Sequence, residues 1–106
     1  MRTLEFSING QRLKKTPGFS FNHIIMGSKN YLKAHFTFSS SDWYTLRKVA
    51  VFNSEGGSAE YVALNRDTCQ IPDSVTKNQT FTVQIIGVKG DQRIPTNEIT
   101  IRQEVS

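Results

Sequence analysis

Apolar and polar residues alternate with a period of two along most of this chain. Leu4, Phe6 and Ile8 alternate with Glu5 and Ser7, which predicts a strand buried on one side. Asn9-Gly10 follows as a hairpin signal, because both residues tolerate positive φ, and Gln11 to Lys15 reads as the return strand. Pro17-Gly18 ends that piece; Phe19 and Phe21 share a face if the next stretch is extended, and His23 to Lys29 reads as loop. From Tyr31 to Phe38, Leu32, Ala34, Phe36 and Phe38 take one side and Tyr31, Lys33, His35 and Thr37 the other. Ser39 to Asp42 is turn composition. Arg47 to Phe52 and Ala59 to Leu64 form a second hairpin around Ser54-Glu55-Gly56-Gly57. Asn65 to Asp67 turns the chain, and Thr68 to Ile71 is a short strand stopped by Pro72. Phe81 to Val88 is the most apolar strand, partly apolar on both faces, and so belongs in the middle of a sheet. After a turn at Gly90-Asp91, Glu98 to Arg102 closes the set. The pattern predicts seven to nine short strands with no significant helix, an all-β sandwich or small barrel.

The chain has 106 residues, enough for one domain, 1–106. Apolar residues make up 37% and are dispersed, with no run near the roughly 18 to 20 that a spanning helix needs, so no membrane partner is expected. The start, Met1 to Phe6, lacks a signal-type apolar region, which predicts a chain that begins as written in a cytoplasm. One cysteine, Cys69, excludes an intramolecular disulfide and fits a reducing compartment; its alternating surroundings predict a buried thiol. The net charge of +4 is uneven. Residues 1–52 carry eight Lys/Arg against two Asp/Glu, and residues 53–106 five against seven. Such a split suits an acidic partner, or self-assembly of one half against the other.

The residues offer no catalytic set. His23 and His35 are twelve apart with no partner at metal-ligand spacing, so neither a metal nor another cofactor is expected. Gly56-Gly57 sits between strands rather than ahead of a helix, and Glu55 and Glu60 lack the cleft that paired acids need. The chain is therefore read as a binding protein rather than an enzyme. Two binding chemistries remain. Tyr31, Lys33 and His35 on one strand face suit a single-stranded nucleic acid on an OB-like barrel, although the basic residues are scattered. Trp43 and Tyr44 after a polar turn suit a sugar or a protein partner; a Trp plugging the end of the sandwich is the favoured reading.

Several short pieces come in a suggestive order: Phe36-Thr37-Phe38, Trp43, Lys48-Val49-Ala50-Val51-Phe52, Cys69-Gln70-Ile71-Pro72, Val83 to Val88, and Arg93-Ile94-Pro95-Thr96-Asn97. Over residues 31–101 the chain resembles the small immunoglobulin-like sandwich domains of tailed-phage virion proteins from phages of Gram-positive bacteria. Baseplate upper proteins, tail proteins and head-fibre or accessory capsid proteins carry such domains. The resemblance implies an immunoglobulin-like β-sandwich and scaffold roles: Trp43 capping the core beside Val49 and Val51, Ile71-Pro72 starting a crossover, and Thr96-Asn97 forming a side-chain-stabilised turn. It transfers no catalytic residue. Longer members continue into coiled coils, fibres or receptor-binding heads, whereas this sequence stops at Ser106, which predicts that it is not itself an extended fibre.

The leading expectation is a phage structural protein, made in the host cytoplasm and residing in the virion, that docks on capsid, tail or baseplate. Its partners would be other virion proteins, with a homo-oligomer and a host surface glycan as further options and nucleic acid as the weaker one. Arg12, Lys14, Lys15, Tyr31 and Trp43 are the candidate contact residues. Residues 1–30 read either as an added hairpin or docking arm, or as the first strands of the same sheets.

Overall fold

A computed structural model describes residues 1–106. Alternation sets the first sheet. β1 (Arg2–Asn9) buries Leu4, Phe6 and Ile8, and β2 (Arg12–Lys15) buries Leu13. Between them Gly10 takes a positive φ of 61°, so Asn9 pairs with Arg12 across a two-residue turn. β3 (Leu32–Phe38) runs parallel to β1, with Phe6 opposite Phe36, and β6 (Thr68–Gln70) pairs antiparallel to β3. The order is β2-β1-β3-β6.

The second sheet is built on β7 (Thr80–Lys89), the segment partly apolar on both faces, which is central as its composition requires. β4 (Arg47–Ser54) flanks it on one side and carries β5 (Glu60–Ala63) at the edge. On the other side β8 (Gln92–Pro95) pairs with the end of β7 and β9 (Ile99–Arg102) with its beginning. β8 is a strand that Pro95 and weak alternation hide in the sequence. The interruption at Thr96 is tied down by hydrogen bonds: its Oγ1 accepts from Ile85 N (3.0 Å) and donates to Asn97 O (2.9 Å). Thr96-Asn97 is therefore not the expected turn: β8 and β9 continue in one direction along the same edge of β7, and these side-chain bonds hold the bulge between them.

The two layers enclose one core. Phe6 stacks on Phe36 at 5.1 Å, Phe52 lies 6.4 Å from Phe81, and one cluster of 20 buried residues draws on both sheets. The fold is an immunoglobulin-like β-sandwich of nine strands, because β5-β4-β7-β8 repeats the C′-C-F-G order and β3 pairs with β6 as B does with E. It departs from that plan in the parallel β1–β3 pair. Helix is limited to one α turn, α1 (Asp73–Thr76), and a 3-10 turn at Ser41–Trp43. As the Ile71-Pro72 reading requires, α1 starts after Pro72 and carries the chain from β6 in one sheet to β7 in the other.

Residues 1–30 belong to this body rather than projecting from it. After β2 the chain crosses the sandwich as a strap. The Arg2 guanidinium donates to the carbonyls of Asn22 (2.7 Å) and His23 (2.9 Å), Ile24 is 2% exposed in the core, and Met26 N donates to Glu104 O (2.9 Å). Phe19 and Phe21 do not share a buried face: Phe19, at a bend, stays in solvent, while Phe21 packs edge-on to Phe6 at 5.4 Å.

Candidate interaction surface

Because β4 buries Ala50 and Phe52, it turns Val49 and Val51 outward. Trp43 therefore does not pack beside those valines; the bulkier Phe52 sets the phase of the strand. β7 likewise buries Phe81, Val83, Ile85 and Gly87 and turns Gln84, Ile86 and Val88 out. Register then aligns Ala63, Val49, Ile86 and Pro95 in one row across four strands. At about 4.8 Å per strand the row is about 14 Å wide. A second row sets Tyr61, 67% exposed, against Val51 and Gln84; Val51 is only 3% exposed although it points outward. A third row sets Arg47, Val88 and Arg93 side by side. At this end a depression of ≈ 560 Å³ opens, lined in part by Val49, Ala63, Val88, Arg47 and Arg66. Beside it Lys48 pairs with Asp67 (3.1 Å) and lies 4.5 Å from the Phe38 ring centroid, so this one local carboxylate is already engaged.

The outward face of the four-stranded sheet is built by the same alternation from different residues. Its rows are Thr3, Lys33 and Gln70; Glu5, His35 and Thr68; and Lys14, Ser7 and Thr37. His35 Nδ1 hydrogen-bonds Glu5 Oε1 at 2.6 Å, and Ser7 pairs with Thr16 at 2.5 Å. The paired positions of this face are polar, with more basic residues than the single Glu5.

The candidate contact residues do not form one patch. Arg12 and Lys14 lie on the outward face of β2, opposite Asn9 and Ser7. Lys15 pairs with Phe6 on the other side, where its Nζ stands 5.3 Å from the Phe21 ring centroid. Tyr31, 46% exposed, precedes β3 and shares the alternation of Lys33. Trp43 must be corrected as a contact residue: it is 0% exposed. Its indole Nε1 donates to Gly10 O (2.7 Å), its ring lies 5.2 Å from Phe38, and the missing side chain of Gly87 makes room for it. It is the plug. Its neighbour Tyr44, 66% exposed, is the free aromatic there.

The β2 edge is closed to a pairing strand at Leu13. Asn97 Oδ1 accepts from Leu13 N (2.6 Å) and its Nδ2 donates to Leu13 O (3.0 Å), so one side chain occupies the backbone groups an incoming strand would use. The same two bonds join the sheets. Cys69 is equally closed, 6% exposed, and burial pushes its thiol from 9.0 up to about 12, far from the thiolate a nucleophile needs.

The residues that make the apolar face were not singled out from the sequence. Two signals pointed to them: β7 is partly apolar on its outward side at Ile86 and Val88, and Val49-Ala50-Val51-Phe52 is apolar without a break. One side of each strand fills the core, and the other is left over. Comparison of the chain with protein-family models and with curated proteins gives no match.

Proposed function

We propose that this chain is an assembly module, a virion structural protein that docks on capsid, tail or baseplate through the outward face of its five-stranded sheet. The observation that carries the docking half is the row Ala63, Val49, Ile86 and Pro95, with Tyr61 and Val88 beside it, in which Ala63 and Tyr61 are exposed and the others part-exposed. Contiguous apolar surface on a small domain marks an interaction site, whereas single apolar side chains do not. The clamp of Asn97 on Leu13 removes one position of the β2 edge from strand pairing. The virion half rests on the resemblance over residues 31–101. Its test is compositional: infectious particles purified through a density gradient should contain the chain at a fixed ratio to the major structural proteins. Particles that are infectious and lack it would overturn the reading.

A second reading has one observation in its favour. Register and alternation gather Lys14, Lys33, His35 and Tyr31 on the outward face of the other sheet, a combination suited to stacking and phosphate contact. Oligonucleotide binding that weakens steeply with added salt would support it, and no binding at low salt would remove it. The glycan reading loses its principal aromatic, since Trp43 is buried.

A further inference from the structure

We infer that β5 is a pairing edge for a second copy of this chain, joining two five-stranded sheets antiparallel about a two-fold axis at Val62. The inference goes beyond docking on the sheet face and does not rest on it. Hydrogen bonds in an antiparallel ladder alternate from one residue to the next. Leu64 N donates to Lys48 O (3.0 Å), so Val62 and Glu60 also turn their backbone groups toward β4. The N–H and C=O of Tyr61 and Ala63 then face out of the sheet, and no backbone bond from elsewhere in the chain reaches them. The other edges are each blunted. Leu13 on β2 is held by Asn97. Thr68 on β6 exchanges both its backbone bonds with Asn65, at 3.1 and 2.9 Å. On β8, Pro95 has no N–H, and its carbonyl accepts from Gln11 Nε2 (2.9 Å). β9 is bounded at one end by the bulge at Thr96-Asn97. At the other end lies the strap, where Glu104 N donates to Ile24 O (2.7 Å) and Met26 N to Glu104 O (2.9 Å). β5 has no proline, lysine, bulge or clamp of the kind that guards an edge strand; its one protection is the charge of Glu60.

Main-chain groups accept any strand; the side chains select a second copy. Glu60 is part-buried on the inward side with Val62, which packs against the core. There it bars a strand that brings no cation. A second copy brings one. Pairing Tyr61 with Ala63 of the second copy, and Ala63 with its Tyr61, sets Val62 against Val62 and Glu60 against Leu64. Arg66 of the second copy then lies one diagonal step from Glu60, within reach of long side chains. Neither Glu60 nor Arg66 has an ion-pair partner within the chain, and the two-fold gives a partner to both. A groove of ≈ 470 Å³ between the β5 and β6 edges is lined by Lys33, Val62 and Arg66 among others, with no carboxylate among its lining residues. Glu60 of the second copy enters it on the inward side. On the outward side, Tyr61, 67% exposed, covers Ala63 of the other copy. Parallel pairing would instead set Glu60 beside Glu60 and Arg66 beside Arg66, and like charges across a strand pair repel.

The test needs only the purified chain, so its failure is distinct from failure of the virion reading. An edge contact of this length belongs to the weak class that buries less than about 1,200 Å². Sedimentation equilibrium up to about 1 mM chain should therefore show a monomer–dimer equilibrium. Ala63→Pro removes an outward N–H without touching the bonds to β4, and should weaken the dimer about tenfold or more. Glu60→Arg should weaken it as well, and Glu60→Arg/Arg66→Glu should restore it. Thr100→Pro, the same change at an outward position of β9, should leave it intact. Unfolding melts keep loss of pairing distinct from loss of fold, and the Glu60→Arg pair carries the test if Ala63→Pro does not fold. Wild-type chain that stays monomeric throughout this range overturns the proposal. So does a dimer that folded Ala63→Pro leaves unchanged, or one that Thr100→Pro dissociates instead. A dimer indifferent to Glu60→Arg, or not restored by the charge swap, overturns the antiparallel pairing.

Discussion

The two sheets of this sandwich obey one rule on the inside and differ on the outside. Inward, both present Phe, Ile, Leu and Val to a shared core. Outward, the four-stranded sheet presents Thr3, Lys33, Gln70, Glu5, His35 and Lys14, and the five-stranded sheet presents an apolar row of Val49, Ile86, Ala63 and Pro95 among polar positions such as Arg47, Gln84 and Arg93. Folding demands apolar side chains only on the inward positions, because burying them there supplies the driving force. The outward positions of the first sheet show that this sequence can furnish a polar exterior. The apolar row on the exterior of the second is therefore not a by-product of strand formation. It is the part of the molecule where the sequence departs from what folding alone asks.

If inner and outer positions differ in this way, substitutions should separate them. The largest effect on stability is expected at the plug. Trp43→Ala removes a fully buried ring and leaves Gly10 O without its indole donor. It should cost about 3–5 kcal/mol in urea unfolding. Gly87→Ala probes the same packing from the other side: a Cβ there would sit 2.8 Å from Trp43 Cζ3 and 2.7 Å from Leu46 Cδ1. Overpacking of that kind should cost about 1–3 kcal/mol. A Gly87→Ala protein as stable as wild type would show that Trp43 is free to move and would weaken its assignment as plug.

The next effect concerns the seam between the sheets. Asn97→Ala strips two hydrogen bonds from the backbone of Leu13 and should destabilise by about 1–3 kcal/mol, measured by the same unfolding assay. It should also reopen the β2 edge, so that any new self-association appears in this variant and not in wild type. Cys69 gives an inner-side effect that depends on pH. Its folded pKa, about 12, lies above the ordinary 9.0, so the folded state holds the thiol proton more tightly. The associated stability is present below about pH 9 and is lost as pH rises toward 12. Wild type should therefore lose stability over that window more steeply than Cys69→Ala.

The smallest effects on stability belong to the outer positions. Ile86→Ser and Val49→Ser should each shift stability by less than about 1 kcal/mol, since both are already part-exposed. A loss of several kcal/mol at Ile86 would break the contrast between inside and outside. Thr82 sharpens it in the other direction: its Oγ1 is buried without a hydrogen-bond partner. Thr82→Val should be neutral or stabilising by up to about 1 kcal/mol.

Most of the fold was legible because period-two alternation is a local signal. Leu4, Phe6 and Ile8, and later Leu32 to Phe38, announce which side is inward with no knowledge of the neighbouring strand. β8 was not, because Gln92–Pro95 has only Ile94 as an inward anchor and ends in a proline. Its pairing comes from the turn at Gly90-Asp91 and from β7, not from its own residues. The phase of β4 was misread for a related reason. Four consecutive apolar residues carry no alternation, and only the fit of Phe52 inside selects Val49 and Val51 for the outside. The apolar face was hidden for the same reason: its row is assembled by register between strands far apart in sequence. Arg12, Lys14 and Lys15 show the converse error, since closeness along a strand sends Lys15 to the opposite side from its neighbours.

The central claim is that assembly covers the outward face of the five-stranded sheet and leaves that of the other exposed. Burial of Cys69, the single native thiol, allows a direct measurement. Cysteines introduced as Ile86→Cys and, separately, as Lys33→Cys can be labelled with a thiol reagent in the free chain and in purified particles. Both should react readily in the free chain. In particles, Ile86→Cys should be protected and Lys33→Cys should remain reactive. Equal labelling of Ile86→Cys in both states, or protection of Lys33→Cys instead, would contradict the account.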